Sequence, residues 1–457
     1  MQLFLRIVSI VIFYCFTLPA NAQSGRTMAE KVDEYFTVAA RHHRFNGTVL
    51  VARQGHIFLQ KGYGWRNEAA QTLNDSNSIY QLGSITKTFT AQAILQLQDE
   101  KKLSVKDNVS QYLPDYPKGD QITIEQLFAH TSGIYDYKGV LYSKDSLEFT
   151  RPVTKDRVLA TFKDKPLQNK PGEQVNYTNS GYFLLGLIIE KVTRQPFETV
   201  IRKRFIEPLH LTQTGFDFIN LKRPEKTTGY TYWKDSVLVA VRPLDSTAAY
   251  SAGGMYSSVG DLYRWAQAIF TSQLLKPASQ KLAFTAIKPG NWTYGWGVNE
   301  FQKGRKLVFQ NGNLPGFATF FVLIPEDNTV LIMLANVDDT SDATTLEPML
   351  KDLLFITYGM PYQLPSSFKT VPVREAVLKD YVGKYRLSPD RILSITLEGR
   401  NLFLQVTGQQ RFEIFPSSET DFFLKAVNAQ LTFQKDASGR ITQVIVHQNG
   451  DVVAKRL

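Results

Sequence analysis

The apolar positions of this chain fall into three textures. Two apolar runs flank Gln54-Gly55 in FNGTVLVARQGHIFLQKGYG (residues 45–64), the signature of a β-hairpin with a tight turn. A helical period follows. Beyond GSITK (residues 83–87), Phe89, Ala93, Ile94 and Leu97 share one side of an amphipathic helix. GYFLLGLIIEKVT (181–193) and VGDLYRWAQAIF (259–270) predict two further helices, the second with Asp261 near its first turn. Loops rich in Pro, Gly, Asp and Tyr separate these stretches. Strand signals return at 294–336, in YGWGVNEF, KLVFQNG, ATFFVLIP and NTVLIMLAN. Strands at both ends with helices between them predict one sheet assembled from distant segments and a helical insert beside it. The fold class is α+β (mixed α/β).

Past residue 360 the texture changes. GMPYQLPSSFKTVPVRE (359–375) is punctuated by prolines and serines, and it places a linker at 361–374. Eight short β-rich runs follow: YVGKYRL, ILSITL, NLFLQV, RFEIF, DFFLKA, AQLTFQ, ITQVIV and VVAKRL. Glu398-Gly399, Ser438-Gly439 and Asn449-Gly450 supply turns, and Leu393, Ile395 and Leu397 alternate with Ser394 and Thr396. Residues 375–457 therefore predict a small all-β barrel or sandwich.

The length of 457 residues suits two or three domains. The first 22 residues read as a secretory signal peptide, with Arg6 before an apolar run and Ala20-Asn21-Ala22 as the cleavage site. Cleavage after Ala22 leaves a main domain at 23–360 and a periplasmic or secreted protein. Cys15 is the only cysteine and lies in that leader, so the mature chain excludes cysteine catalysis, disulfides and thiolate metal sites. No later apolar run is long enough for a membrane span. The net charge of +10 comes from scattered rather than clustered basic residues, which predicts a solvated surface and no nucleic-acid partner.

Three short motifs carry candidate chemistry. Ser84 and Lys87 stand three residues apart on one helical face, near the positive end of the helix. A serine hydroxyl needs a base to become a nucleophile, and a buried lysine with a lowered pKa can serve. The plain alternative is a capping serine and a solvated lysine. Ser366 and Lys369 repeat the spacing in the linker, with no helix behind them. Tyr177 and Asn179 lie just before the 181–193 helix, where a phenol can shuttle protons and an amide can orient a carbonyl. In VFQNGNLPGFATFF (308–321), Gln310-x-Gly312 follows a strand. Gly312 lets a substrate approach the backbone, and an N–H there can join that of Ser84 at a developing oxyanion. An ordinary Asn-Gly hairpin turn is spelled by the same letters.

In this order, S-x-x-K, Y-x-N and a strand-borne x-x-Gly resemble the serine penicillin-recognising enzymes, in the branch with class C β-lactamases, D-Ala-D-Ala carboxypeptidases, D-aminopeptidases and related esterases. LFAHTSGI (127–134), PGEQVNYTNSGY, EPLHLTQTGF (207–216), SAGGMYSSVGDLYRW (251–265), YGWGV (294–298) and LPGF (314–317) carry the resemblance from about residue 30 to 355. The tail resembles the lipocalin-like β-domain appended to some members. The resemblance implies an antiparallel sheet flanked by helices, with a helical subdomain. It implies Ser84 as the acylated nucleophile, Lys87 as its proton acceptor, and Tyr177 as the residue serving the leaving group and the deacylating water. Asn179 would bind the substrate amide, and the N–H groups of Ser84 and Asn313 would form the oxyanion hole. The third motif usually begins with Lys or His. Gln310 there weakens carboxylate recognition and favours an uncharged ester or amide, with Arg305 and Lys306 as possible substitutes.

His130 in the same resemblance is structural. No G-x-S-x-G surrounds Ser84, and the histidines show no H-E-x-x-H, so neither an α/β-hydrolase nor a zinc enzyme is expected. The expected activity is hydrolysis of an amide or ester, in a small molecule, a peptide or a cell-wall fragment, without cofactor or metal. The second reading, invited by Gln310, is a non-catalytic penicillin-recognising binding or sensor protein.

Overall fold

The computed structural model describes residues 26–141, 146–233, 237–271, 273–302, 304–338, 346–365, 370–424, 429–447 and 451–457. The leader, the Ser366–Lys369 pair and the Asn449-Gly450 turn lie outside the described residues. The chain forms two compact units. One spans Asn46–Asp338 together with the described residues before 30. The other joins Glu30–Phe45 to the residues from 339 onward.

The first unit is built on a six-stranded sheet. Its strands are β1 (Gly47–Arg53), β2 (His56–Tyr63), β3 (Gly297–Glu300), β4 (Lys306–Leu314), β5 (Phe317–Ile324) and β6 (Thr329–Ala335), ordered β2-β1-β6-β5-β4-β3. Every neighbouring pair is antiparallel. The β1–β2 hairpin turns at Gln54 and Gly55, both with positive φ (54° and 78°), the geometry that matches strand twist. The central β1–β6 pair joins segments distant in the chain, Gly47 opposite Ala335 through Ala52 opposite Val330. All seven residues of β6 are buried, so this central strand reads as a continuous apolar run rather than an alternation.

The helices of this unit include α1 (Thr86–Asp99), α2 (Asn179–Thr193), α3 (Ser246–Gly253) and α4 (Val259–Phe270). Helix α1 differs from the expected amphipathic helix. It is buried from Thr86 through Leu95 and again at Leu97. Its polar residues are accommodated by partners: Thr90 Oγ1 donates to the Ser251 carbonyl (2.7 Å), and Trp265 Nε1 donates to Thr88 Oγ1 (3.1 Å). Phe89 stacks on Trp265 with centroids 4.0 Å apart. Helix α4 begins where Asp261 predicts. Ser258 caps its N-terminus, and Asp261 Oδ2 accepts from Gln213 N–H (2.7 Å) and Thr214 Oγ1 (2.8 Å). Asp261 thus ties a loop to the helix.

The second unit ends in a closed antiparallel barrel of eight strands, β7 (Gly383–Ser388), β8 (Arg391–Glu398), β9 (Asn401–Val406), β10 (Arg411–Pro416), β11 (Asp421–Phe423), β12 (Gln430–Lys435), β13 (Ile441–His447) and β14 (Asp451–Arg456). Each of the eight expected runs supplies one strand. Closure through the β7–β14 pair leaves the barrel no edge strand. Its interior is filled by side chains, among them Tyr385, Phe422 and Phe433, as suits a barrel of eight strands. A short helix, Glu375–Tyr381, adds Val377, Leu378 and Tyr381 to that core, where an all-β start was expected. Tyr381 stacks on Phe433 at 4.2 Å. In the same unit a helix at Met28–Arg41 meets one at Leu346–Thr357, and Tyr35 OH donates to buried Asp352 Oδ2 at 2.7 Å.

Candidate active site

Ser84 lies on a single 3₁₀ turn, Gly83–Ile85, that runs directly into α1. Gly83 has φ of 56°, which aims the turn at strand β4. Leu82 N–H donates to the Met255 carbonyl (2.9 Å), and Thr319 Oγ1 on β5 donates to the Leu82 carbonyl (2.8 Å). The nucleophile candidate is therefore pinned from both flanks. Ser84 itself is half-buried within buried surroundings.

Gly312 explains how close the strand comes. A Cβ there would stand 2.0 Å from the Leu82 carbonyl oxygen, 2.6 Å from Thr319 Oγ1 and 2.9 Å from Ser84 N. A Cβ on Gly83 would lie 3.1 Å from Asn313 N. Only glycines let the Ser84 turn lie against the Gly312–Asn313 backbone, and they set the Ser84 and Asn313 backbones side by side.

Lys87, one turn along, is fully buried. Its Nζ donates to Ser84 Oγ (2.8 Å), Asn179 Oδ1 (2.8 Å) and the Ala252 carbonyl (2.7 Å). Burial pulls the ammonium down from the ordinary lysine range to about 7. The Asp136 carboxylate opposes that shift, and Lys138 adds to it. Tyr177 OH donates to the same Ser84 Oγ at 2.9 Å. Burial raises the phenol well above its usual range, against the hydrogen bond to Ser84, so it stays protonated at neutral pH. Lys87 Nζ also lies 5.2 Å from the Tyr177 ring centroid and 5.3 Å from that of Tyr182. Ser84, Lys87, Tyr177 and Asn179 are thus brought together from the Gly83–Ile85 turn, from α1, from the loop before α2 and from the first residue of α2.

Gln310 is placed differently from the expectation. It is fully buried, its Nε2 donates to the Gly295 carbonyl (3.0 Å), and its Oε1 accepts from the Asn311 N–H (3.1 Å). A short uncharged side chain fits this bonding to backbone, and it makes Gln310 a brace between β4 and the Gly295 turn. Neither basic candidate nearby takes its place. Arg305 Nη1 donates to Gln302 Oε1 (2.7 Å), and Lys306 opens β4 in solvent, four residues from Gln310.

Other participants escaped the sequence reading. Asp136 Oδ1 accepts from Asn179 N–H (3.0 Å), Asn179 Nδ2 (3.3 Å) and Lys138 N–H (3.2 Å). Its only sequence signal is a carboxylate two residues after the LFAHTSGI stretch, outside any helical or strand period. The Ala252 carbonyl has no side-chain letter to betray it. It follows Tyr250, whose backbone (φ 43°, ψ −133°) is strained for a residue with a side chain. The Tyr250 ring packs against Phe183 and Phe197, with centroids 5.0 and 5.1 Å away, and this packing holds the strained turn.

His130 proves to be a stacking partner. Its ring lies 4.2 Å from that of Tyr177 at 30°, and Trp292 packs edge-on at 4.8 Å. Burial, helped by the Lys87 charge, pushes the imidazole well below its usual range, so it is neutral. Its Nδ1 accepts from Thr178 N–H (3.2 Å), which leaves the ring proton on Nε2. Among the described residues no cluster of three or more His, Cys, Asp or Glu could hold a metal ion, and no helix is long and apolar enough to cross a membrane.

The family profile for β-lactamase matches residues 26–354, and that for a domain of unknown function (DUF3471) matches 369–455. Penicillin-binding protein 4* of Bacillus subtilis (strain 168) is 30% identical over 422 residues, covering 87% of this chain and 92% of that protein. The octameric penicillin-binding protein homologue from Pyrococcus abyssi superposes with a TM-score of 0.65 at 24% identity, over 93% of this chain and 99% of that one. A D-stereospecific amidohydrolase from Streptomyces sp. gives 0.61 at 26% identity, over 70% and 98%. With a matching profile over most of its length and the Ser-Lys-Tyr cluster set on that fold, this chain belongs to the β-lactamase family of serine hydrolases.

Proposed function

We propose that the protein hydrolyses an amide or ester through an acyl-enzyme on Ser84. The observation that carries this reading is the convergence of Lys87 Nζ (2.8 Å) and Tyr177 OH (2.9 Å) on Ser84 Oγ. As an ammonium, Lys87 has three N–H bonds for three acceptors. Once it loses one proton, Asn179 Oδ1 and the Ala252 carbonyl retain two N–H bonds, and the lone pair faces the serine hydroxyl. A lysine pulled to about 7 makes that form available at neutral pH.

Ser84 Oγ then bonds to the substrate carbonyl carbon as its proton passes to Lys87. The oxyanion is met by the N–H groups of Ser84 and Asn313. Tyr177 donates its proton to the departing nitrogen or oxygen, the carbon–leaving-group bond breaks, and Lys87 restores the phenol's proton. In the second half water attacks the acyl carbon while giving a proton to Lys87, now a free amine, and that proton passes on to Ser84 Oγ as it leaves.

Substrate preference follows from Gln310. The position that offers a cation in much of this family holds a buried amide engaged with backbone, which favours substrates without a recognised carboxylate. A D-amino-acid amide or a simple ester suits the site better than a free D-Ala-D-Ala terminus or a penicillin carboxylate, and the similarity to a D-stereospecific amidohydrolase supports the first. We place the enzyme in the periplasm or outside the cell, after leader cleavage at Ala22, where fragments of the cell wall are a natural source of D-residues. The test is a turnover panel of a D-amino-acid amide, p-nitrophenyl esters, a D-Ala-D-Ala peptide and nitrocefin, with Ser84→Ala as control. Turnover of the first two, abolished in the variant, is expected. Absence of both turnover and a covalent adduct on wild type overturns the reading, and preference for the carboxylate substrates overturns the specificity.

A further inference from the structure

We propose that Asp136 is a positioning residue of this site: through Asn179 it keeps Lys87 aligned on Ser84 and supplies the negative charge opposite the buried ammonium. The inference rests on the Ser84 acyl-enzyme reading. Asn179 is a reversible link. Its Oδ1 accepts from Lys87 Nζ (2.8 Å), while its Nδ2 lies 3.3 and 3.5 Å from the two carboxylate oxygens of Asp136. Rotating that amide by half a turn would present N–H groups to the lysine, donor against donor. Asp136 prevents this, because a carboxylate accepts and never donates.

Asp136 is itself fixed. Oδ1 also accepts the backbone N–H groups of Asn179 (3.0 Å) and Lys138 (3.2 Å). Asn179 is the first residue of the fifteen-residue α2, so the carboxylate sits in the positive field of a helix N-terminus. The titratable groups facing the Asp136–Asn179–Lys87 relay are Lys138, His130, Tyr177 and Tyr182. Of these, Lys138 opens the short helix Lys138–Leu141 two residues after Asp136, and His130 is neutral. Asp136 is the carboxylate of the relay: burial raises its pKa, the N–H bonds from Asn179 and Lys138 and the Lys87 charge oppose that rise, and its negative charge favours the lysine's protonated form.

Asp136→Asn keeps an acceptor for the three N–H groups and removes the charge; Asp136→Ala removes both. Two readouts separate these roles in the full chain. The Lys87 titration midpoint is followed by ¹³Cε-lysine NMR, assigned with Lys87→Gln. The rate of Ser84 labelling by a fluorophosphonate is followed against pH. The midpoint should fall by roughly half a unit to one unit in both variants, and the acid limb of labelling should move down with it. Labelling should drop about 10- to 100-fold in Asp136→Ala and under tenfold in Asp136→Asn. An unmoved midpoint, with equal rate losses that track lowered melting temperatures, would make Asp136 a plain loop anchor and overturn the proposal. Asp136→Asn decides the charge role even where the alanine variant does not fold. If wild type takes no label, the acyl-enzyme reading falls, whereas the midpoint shift still reports whether the charge coupling exists.

Discussion

Replacing Gly312 with alanine adds one methyl group where no atom can yield. The new Cβ would meet a carbonyl oxygen, that of Leu82, at 2.0 Å, and ordinary contact begins at 3.4 Å. The strand and the Ser84 turn must then separate by about 1.4 Å (3.4 − 2.0) along that line. Both partners are backbone, and Leu82 is held by Met255 and Thr319, so no side-chain rotation absorbs the shift. A displacement of that size takes the Asn313 N–H out of reach of the oxyanion. Loss of one such donor costs about 2.7–4 kcal/mol of transition-state stabilisation, or 10²–10³ in kcat. The assay is the acylation rate with a p-nitrophenyl ester, alongside circular dichroism and a melt. Gly260→Ala in α4 is the control, since its Cβ meets nothing closer than a glutamine side chain at 3.4 Å. It should leave the rate unchanged and raise stability by up to about 1 kcal/mol. Gly312→Ala that folds like wild type and acylates within threefold of it would refute the assignment of this backbone to the oxyanion site.

Burial pulls Lys87 to about 7 and its free base is the competent form, so kcat/KM should fall about tenfold per pH unit below a midpoint near that value. Lys87→Arg, permanently charged, should lose 10²–10⁴ in rate, and a profile flat down to pH 5 would contradict the lysine's role. Burial pushes the Asp352 carboxyl up to about 6, so the native state holds this proton more tightly than the unfolded chain. The resulting stability is full below about pH 4 and disappears as pH rises through about 6. Across two units it amounts to roughly 3 kcal/mol. Asp352→Asn keeps an acceptor for Tyr35 and should be the more stable form at pH 8 by about 2–3 kcal/mol; melts that run parallel from pH 4 to 8 would contradict this. Phe433→Ala removes the ring stacked on Tyr381 in the barrel core and should cost about 3–5 kcal/mol by denaturant unfolding; under 1 kcal/mol would mean a loosely packed barrel.

Elements whose pattern is local were legible in the sequence. The β1–β2 hairpin announces itself through Gln54-Gly55, and the barrel strands through alternation and turn residues. Helix α1 was legible as a helix and not in its surroundings, because two of its buried threonines look solvent-facing until Ser251 and Trp265 supply partners from distant segments. The helix Met28–Arg41 went unassigned, and so did Glu375–Tyr381, which is too short to show a period. In the site, side chains at a fixed motif spacing could be picked out: Ser84, Lys87, Tyr177 and Asn179. Asp136 could not, since it reaches Lys87 only through hydrogen bonds to Asn179, 43 residues away, and neither could a backbone carbonyl such as that of Ala252. Gln310 was identified as unusual from sequence alone, but burial and backbone bonding define its place.

The sheet order carries a consequence for when the protein becomes active. The proposed nucleophile is synthesised early, at Ser84, while the glycine strand comes at Gly312 and β1 gains its β6 neighbour only once the chain reaches Ala335. The interval is 251 residues (335 − 84), roughly 13 to 50 seconds of synthesis at 5–20 residues per second. A chain interrupted before Asn313 carries Ser84 and Lys87 without the backbone proposed to receive the oxyanion, and one interrupted between there and Ala335 carries it without a complete β6. On the proposed mechanism, truncated or still-emerging chains should not turn over substrate. Acylation of Ser84 can report that the first unit has closed its sheet, a folding clock readable with one covalent probe.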